Sequence, residues 1–504
     1  MATKALFNSV VNWFIKQRID QIQNFMNHPS ETQNGILSSL LYHAEETEYG
    51  KINGFSSVSN YEDFKRNVPI VSYEDFEPYI EKARQGQKDI IWPGLIRQFA
   101  KSSGTTNAKS KFIPITDESL EYCHFKAGKD LVSMYANNHP DNQLFAYKNL
   151  RLGGSAEVYE QFNTKFGDLS AILIDNLPFW VEITTTPSKK VSLMSEWESK
   201  LKAIVSEVKN EEVGSITGVP SWMMVLLQRV LKETGSGSIS EIWPNLEVFF
   251  HGGISFKPYR DQYRQIIGKD INYYEIYNAS EGFFGIQDES NSDEMLLMLD
   301  YGIFYEFIPM EDFGKENPRV LSLEHVEKGK NYAIVITTNG GLWRYMIGDT
   351  VTFTSLNPFR IKISGRTKHY INAFGEELMI DNVESALHQA CSKTGAQITD
   401  YTGAPIFMNG NGSGAHEWIF EFSKEPSDLE SFTDIFDEHL KTINSDYEAK
   451  RYLNMTLKRP VINIAKPNLF YNWMESRGKL GGQNKVPRLS NDREYMDPRL
   501  ELNR

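Results

Sequence analysis

The stretch "FAKSSGTTNAKSKFIPIT", Phe99 to Thr116, decides how the chain is read. A β-like run leads in, hydroxyls, one glycine and three lysines fill the middle, and a second β-like run leads out. The order is strand, polar loop, strand, whereas a Walker loop opens a helix. Backbone N–H groups and the hydroxyls of Ser102, Ser103, Thr105 and Thr106, around the flexible Gly104, can still converge on an anion without a helix dipole. Three hydrogen bonds of about 1.5–3 kcal/mol each to a charged phosphate would cover the roughly 4 kcal/mol of a millimolar nucleotide affinity. An ordinary polar turn accommodates the same residues, so the loop alone leaves both readings open.

Outward from this loop, β-rich runs at Leu95–Phe99, Lys111–Ile115, Ser170–Ile174, Leu246–Phe250, Tyr273–Tyr277, Ile303–Ile308 and Ala333–Thr338 alternate with helical or polar segments. That alternation predicts an α/β body. Residues 7–26 carry apolar side chains at three- and four-residue intervals and predict an amphipathic helix packed on the core. "GVPSWMMVLLQRVLKETG" predicts a helix opening after Pro220, with Ser221 near its cap, and ending at Gly235. After Val351 the texture changes: a strand turns at Ser364-Gly365, and a helix begins near Asp381. A second domain is expected there. The tail from Met474 to Leu500, rich in Gly, Pro and basic residues, is expected to be a mobile loop.

The 504 residues carry a net charge of −13, which argues against a general nucleic-acid binder, since that would need a basic stripe. Cys123 and Cys391 are too few for a disulfide framework or a cysteine zinc site. The N-terminus lacks a cleavage-site pattern, and no apolar run approaches the roughly 18 residues of a membrane span, so a cytoplasmic protein without a membrane partner is expected. The P-loop, dinucleotide, nucleophile-elbow and zincin patterns are all absent from the sequence.

Three further clusters bear chemistry. "YEIYNASEGFFGI" ends a β-like run in a small-residue turn, which sets Glu281 and Tyr277 at a strand's carboxyl end, where open α/β sheets bind ligands. A carboxylate there suits Mg2+, which takes one or two protein oxygens and completes its shell with phosphate and water; a helix cap is the plainer role for one Glu. "GLWRYMIGDTV" places Asp349 after Gly348, able to accept two hydrogen bonds from a ribose diol, or to form a buried ion pair with Arg344. Gly252-Gly253 permits close backbone approach to a flat ring, or a tight turn after a strand.

Taken together and in this order, "KSSGTTNAKSKFIPIT", "GVPSWM", "YNASEG", "FYEFIP", "RYMIGD", "GRTKHYINAFGEEL" and "GQNKVPR" resemble the acyl acid amido synthetases. These are the auxin- and jasmonate-conjugating enzymes of plants and their bacterial relatives, within the acyl-adenylate-forming superfamily of firefly luciferase and the acyl-CoA synthetases. The resemblance implies a large N-terminal domain, residues 1–362, of β-sheets with flanking helices plus a β-barrel, and a smaller mobile α+β lid, residues 363–504. It implies ATP and Mg2+, and two small-molecule substrates, a carboxylic acid and an amino acid.

By the same resemblance Ser102, Ser103, Gly104, Thr105, Thr106 and Lys111 face phosphate, with Asn107 where many members have glycine. Tyr277 and Ser280 would flank the adenine, with Gly252 and Gly253 opposite. Glu281 would hold the metal, Asp349 the ribose, Arg366 would sit near the hinge, and Lys485 would be the mobile lysine that meets the α-phosphate. Ser221, Trp222, Met223, Phe283 and the neighbourhood of Leu152 to Ala156 are the suggested acyl-pocket residues. Transfer of the acyl group to coenzyme A is the nearest rival activity, and a non-catalytic nucleotide-binding protein a more distant one.

Overall fold

The computed structural model of the chain describes residues 2–102, 111–153, 159–161, 163–253, 256, 259–290, 292–367, 371, 373–374, 376, 378–407, 414–451, 454, 457–479, 485–490 and 492–504. The side chains of 2–14, 102, 161, 179–180, 197, 221, 445–446 and 449 are outside that description.

A twelve-stranded sheet organises the body, and its strand directions change once. Thr185–Thr186, Lys148–Arg151, Val213–Gly218, Val248–Gly252 and Asn272–Ala279 lie side by side in parallel. From Asn272–Ala279 onward the pairing is antiparallel, through Gly282–Ile286, Met295–Leu297, Phe359–Arg366, Tyr345–Leu356, Asn331–Thr338, Ile303–Pro309 and Leu321–Ser322. The strands implied for a β-barrel form, among the described residues, this antiparallel arm of an open sheet. Parallel strands buried on both faces need apolar side chains on both, and two core clusters supply them. One holds Val248, Phe250, Tyr274 and Ile276; the other holds Leu150, Ile216 and Phe249.

The strands around the polar loop are as expected: Gln98–Ser102 and Lys111–Ile115 pair antiparallel, with Ser102 opposite Lys111. Residues 103–110, and so the expected phosphate ligands Ser103, Gly104, Thr105 and Thr106, lie outside the described residues. The N-terminal helix runs Ala2–Asn27. Its Arg18 is held between Asp130 and Asp300, at 2.7 Å from each, which ties the helix to the body.

Four local expectations change. Ser170–Ile174 lies in a helix, Leu169–Asp175, because its buried positions, Leu169, Ala171, Ile172 and Ile174, follow a helical rather than alternating spacing. Pro220 is the first residue of its helix and Val219 its cap, in place of Ser221; proline has no N–H to satisfy there. Ser364-Gly365 is not a turn. Phe359–Arg366 runs straight through it, and a register shift between Thr350 and Val351 absorbs Gly365 at φ +151°. The tail is not all loop: Leu489 and Met496 are fully buried, and Met496–Asn503 is a helix.

The C-terminal part packs Ile380–Thr394 and Leu429–Ile443 on a sheet of Gln397–Ile406, Ala415–Lys424 and Val461–Ile464. It meets the body through backbone carbonyls. Tyr259 donates to the Thr399 carbonyl and Gln262 to that of Ile398, both at 3.1 Å.

Candidate active site

The turn Ala279-Ser280-Glu281-Gly282 lies where the sheet passes from parallel to antiparallel pairing. A cavity of about 1680 Å3 opens there, bounded by the carboxyl ends of the parallel strands, by Asp349 and Arg366 from the antiparallel arm, and by Lys485 to Arg488 from the C-terminal part.

Asp349 is held from two sides. Tyr277 donates to one carboxylate oxygen at 2.8 Å, and the Arg366 guanidinium meets the other at 2.9 Å. The backbone enforces the second contact, since Asp349 and Arg366 sit directly opposite on adjacent strands. Asp349 thus belongs to the strand Tyr345–Leu356, entered through Gly348 at φ +87°, rather than to a free turn. The Asp349 charge raises the Arg366 pKa, and burial lifts the Tyr277 phenol well above its ordinary range. Arg344 does not pair with Asp349. It turns away to grip Glu306 with two hydrogen bonds of 2.8 Å and the Val68 carbonyl with a third, fixing the chain just before Tyr345.

Glu281 points into the cavity between Lys111 and Arg366. Burial pushes its carboxyl up, against the pull of its own backbone N–H and of those two cations. A carboxylate short of solvation is one that a cation would stabilise, so the residue fits a metal ligand.

Lys485 comes from the far side. Thr402 donates to the Pro487 carbonyl at 2.7 Å and Gly403 N–H to that of Arg488 at 2.8 Å, pinning the segment along Gln397–Ile406. Arg488 adds an ion pair to Asp400 and lies over the Tyr401 ring. This anchorage carries Lys485 across to the Gly253 carbonyl, to which its ammonium donates. The side chain is accessible to the cavity yet ringed by protein; lost hydration, then the charge of Arg366, pull its pKa down to about 8, with Asp349 opposing.

Gly252 and Gly253 differ in what they require. A Cβ on Gly252 would lie 2.4 Å from the Ile276 carbonyl oxygen, so that glycine serves strand packing. Gly253 needs its glycine for φ +84°.

The structure brings Lys111, Gly252, Gly253, Tyr277, Ser280, Glu281, Asp349, Arg366 and Lys485 to one cavity, with Trp222 further along it. Two suggested acyl-pocket residues stand elsewhere. Met223 is fully buried with its methyl against Gly218 and does not line the cavity, and Phe283 sits in the core beside Tyr301, its N–H on the Cys123 sulfur. The backbone of Ser102 and Ser221 is described but their side chains are not. Sequence reasoning passed over Arg151, which lines the cavity one residue before the suggested Leu152–Ala156 neighbourhood, and His251, stacked on Phe256 at 4.2 Å. A cation ending a β-run immediately before Leu-Gly-Gly was the available signal for the first.

The GH3 family N-terminal domain matches residues 18–271, the central domain 296–366 and the C-terminal domain 381–494. The chain belongs to the GH3 family. This GH3 chain is 23% identical to the indole-3-acetic acid-amido synthetase GH3.3 of Arabidopsis thaliana, over 93% of its own length and 90% of the relative's. It is 24% identical to the jasmonoyl–L-amino acid synthetase JAR6 of Nicotiana attenuata, over 96% and 95% of the two chains. Its fold is that of the acyl acid amido synthetase GH3.15 solved in complex with 2,4-DB, at a TM-score of 0.80 with 18% identity over 97% and 96% of the chains. A 2-hydroxyisobutyryl-CoA ligase in its postadenylation state follows at a TM-score of 0.60, 15% identity, covering 93% and 90%.

Proposed function

We propose that this GH3 protein is an ATP-dependent acid–amino acid ligase. A carboxylate oxygen attacks the α-phosphorus of ATP, the bond to pyrophosphate breaks, and an acyl-adenylate forms. The amine of an amino acid then attacks the activated carbonyl, AMP departs, and the nitrogen loses a proton to leave an amide. The observation that carries this reading is the convergence of Asp349, Arg366, Glu281 and Lys485 from three separate parts of the chain on one cavity.

Asp349, held by Tyr277 and Arg366, keeps its remaining lone pairs for a ribose diol. Lys485 sets an ammonium against charge that develops on the α-phosphate, in an enclosed site where such charge counts for more than in water. Glu281 would hold Mg2+, which supplies charge neutralisation to the phosphates when bound. The part of the chain beyond the body strand Phe359–Arg366 acts as the lid, so the expected boundary at 362/363 moves past that strand, and its pinned Lys485 segment gives adenylation its ammonium. No enzyme nucleophile is required. Both substrates are small molecules.

Exchange of labelled pyrophosphate into ATP, screened over carboxylic acids, tests the first step. Adding amino acids or coenzyme A and weighing the product tests the second. Absence of acid-dependent exchange across the panel overturns the reading, and a thioester in place of an amide assigns the protein to the rival activity.

A further inference from the structure

The cavity extends from the adenylate end along the sheet to Arg151, at the carboxyl end of Lys148–Arg151. Leu150 faces the opposite core, so Asn149 and Arg151 share the other face. The polar groups beside Arg151 are already matched: Asn149 donates to Ser215 and Thr217 at 2.9 and 3.0 Å. Among the described residues Arg151 has no such match: its Nε is buried without a partner there, and no hydrogen bond or ion pair joins its guanidinium to another of them. Glu182 supports it only from a distance and lies 4.0 Å from Lys189. Lost hydration pulls the guanidinium pKa down to about 10, which leaves it charged at neutral pH. Leu152, Leu173, Ile174, Val219 and Trp222 line the same cavity, together with the polar Ser170, Thr217 and His251, so apolar surface for a spacer and the cationic Arg151 share one space.

We propose that Arg151 is a specificity residue that binds a second anionic group on the acyl substrate, at the end remote from the carboxylate that is activated. The simplest substrate class is a dicarboxylic acid with an apolar spacer. The inference rests on the ligase reading above. Distance selects the acid over the amine. With neighbouring strands about 4.8 Å apart and about 3.3 Å of rise per residue, Arg151, level with Phe250, lies two strands across and three residues back from Gly253, where Lys485 docks, a separation of roughly 14 Å. An α-amino acid keeps its carboxylate carbon only about 2.5 Å from the attacking nitrogen, so its carboxylate stays at the reacting centre. An extended guanidinium leaves a gap that a medium-length dicarboxylate spans, with the bidentate geometry that arginine offers to carboxylates.

Calorimetric titration of adipate, suberate and azelate, each against the monocarboxylate of equal length, tests this in the presence of Mg2+ and α,β-methylene-ATP. The wild-type protein is expected to bind suberate about tenfold or more tightly than octanoate. Arg151→Met is expected to bind octanoate at least as tightly as suberate, and Arg151→Lys to recover part of the preference, which a merely structural role would not give. A wild type without preference for any diacid, or a preference that survives Arg151→Met, overturns the proposal. Pyrophosphate exchange on the same acids separates the two failures. Exchange with monocarboxylates and no diacid preference sinks Arg151 alone, whereas no exchange with any acid sinks the ligase reading.

Discussion

The two ends of the cavity are built on opposite electrostatic terms. Around the turn Ala279-Ser280-Glu281-Gly282 charges act on one another, Asp349 paired with Arg366 across two strands and Glu281 drawn down by Lys111 and Arg366 against its burial. Elsewhere in the cavity Arg151 stands at the close of a parallel strand, with Asn149, Ser215 and Thr217 bonded to one another and no partner for it among the described residues. On the proposed reading, a site for one nucleotide fixes its charges in advance, whereas a site that selects among acids leaves one charge for the substrate to answer.

Breaking the framework under the adenylate end should have the largest effect. Glu306→Ala strands the buried Arg344 guanidinium, and unfolding of the N-terminal body in urea should show a loss of about 3–5 kcal/mol. Lys485→Ala should slow adenylation by about 10²–10³-fold in single-turnover pyrophosphate release, with ATP affinity nearly unchanged; an unaltered rate would take the lysine out of the chemistry. Asp349→Asn removes a charged acceptor from the ribose and should raise the KM for ATP about tenfold to a hundredfold. An unchanged KM would mean that Asp349 serves only Tyr277 and Arg366.

The smallest effect is a matter of pH. The ammonium of Lys485 is present below pH about 8 and is lost above it, so kcat/KM for ATP should fall on the alkaline side with an apparent pKa near that value. In Lys485→Arg the fall should move to higher pH. The sign for stability runs the other way. A lysine that releases its proton more readily when folded opposes folding fully below pH 8, and that penalty fades as pH rises from about 8 toward 10.5.

Much of this was legible in the sequence, for identifiable reasons. Lys111–Ile115, the helix opening at Pro220 and the carboxylates Glu281 and Asp349 all sit in local signals: alternation, a proline start, small-residue turns. The misread segments are those that tertiary packing decides. "SAILI" is equally apolar as strand or helix, and only its burial against Gln98–Ser102 reveals the spacing. Arg344 looked available to Asp349 because five residues separate them, but the partner it takes, Glu306, lies 38 residues away on another strand. Met223 and Phe283 were suggested from a family-like helix start and its surroundings, whereas a helix rotates successive side chains by about 100° and a strand sends them to alternate faces, so one neighbour lines the cavity and the next the core.

The contact between Gly252 and the Ile276 carbonyl reaches further than its size suggests. Ile276 is followed directly by Tyr277, whose hydroxyl steadies Asp349. A methyl group at position 252 would wedge two parallel strands apart and carry that hydroxyl away from the carboxylate, loosening Asp349 from a distance. The separation of these strands works as a gauge: one hydrogen atom in place of a methyl sets how closely the phenol, the carboxylate and the guanidinium can meet.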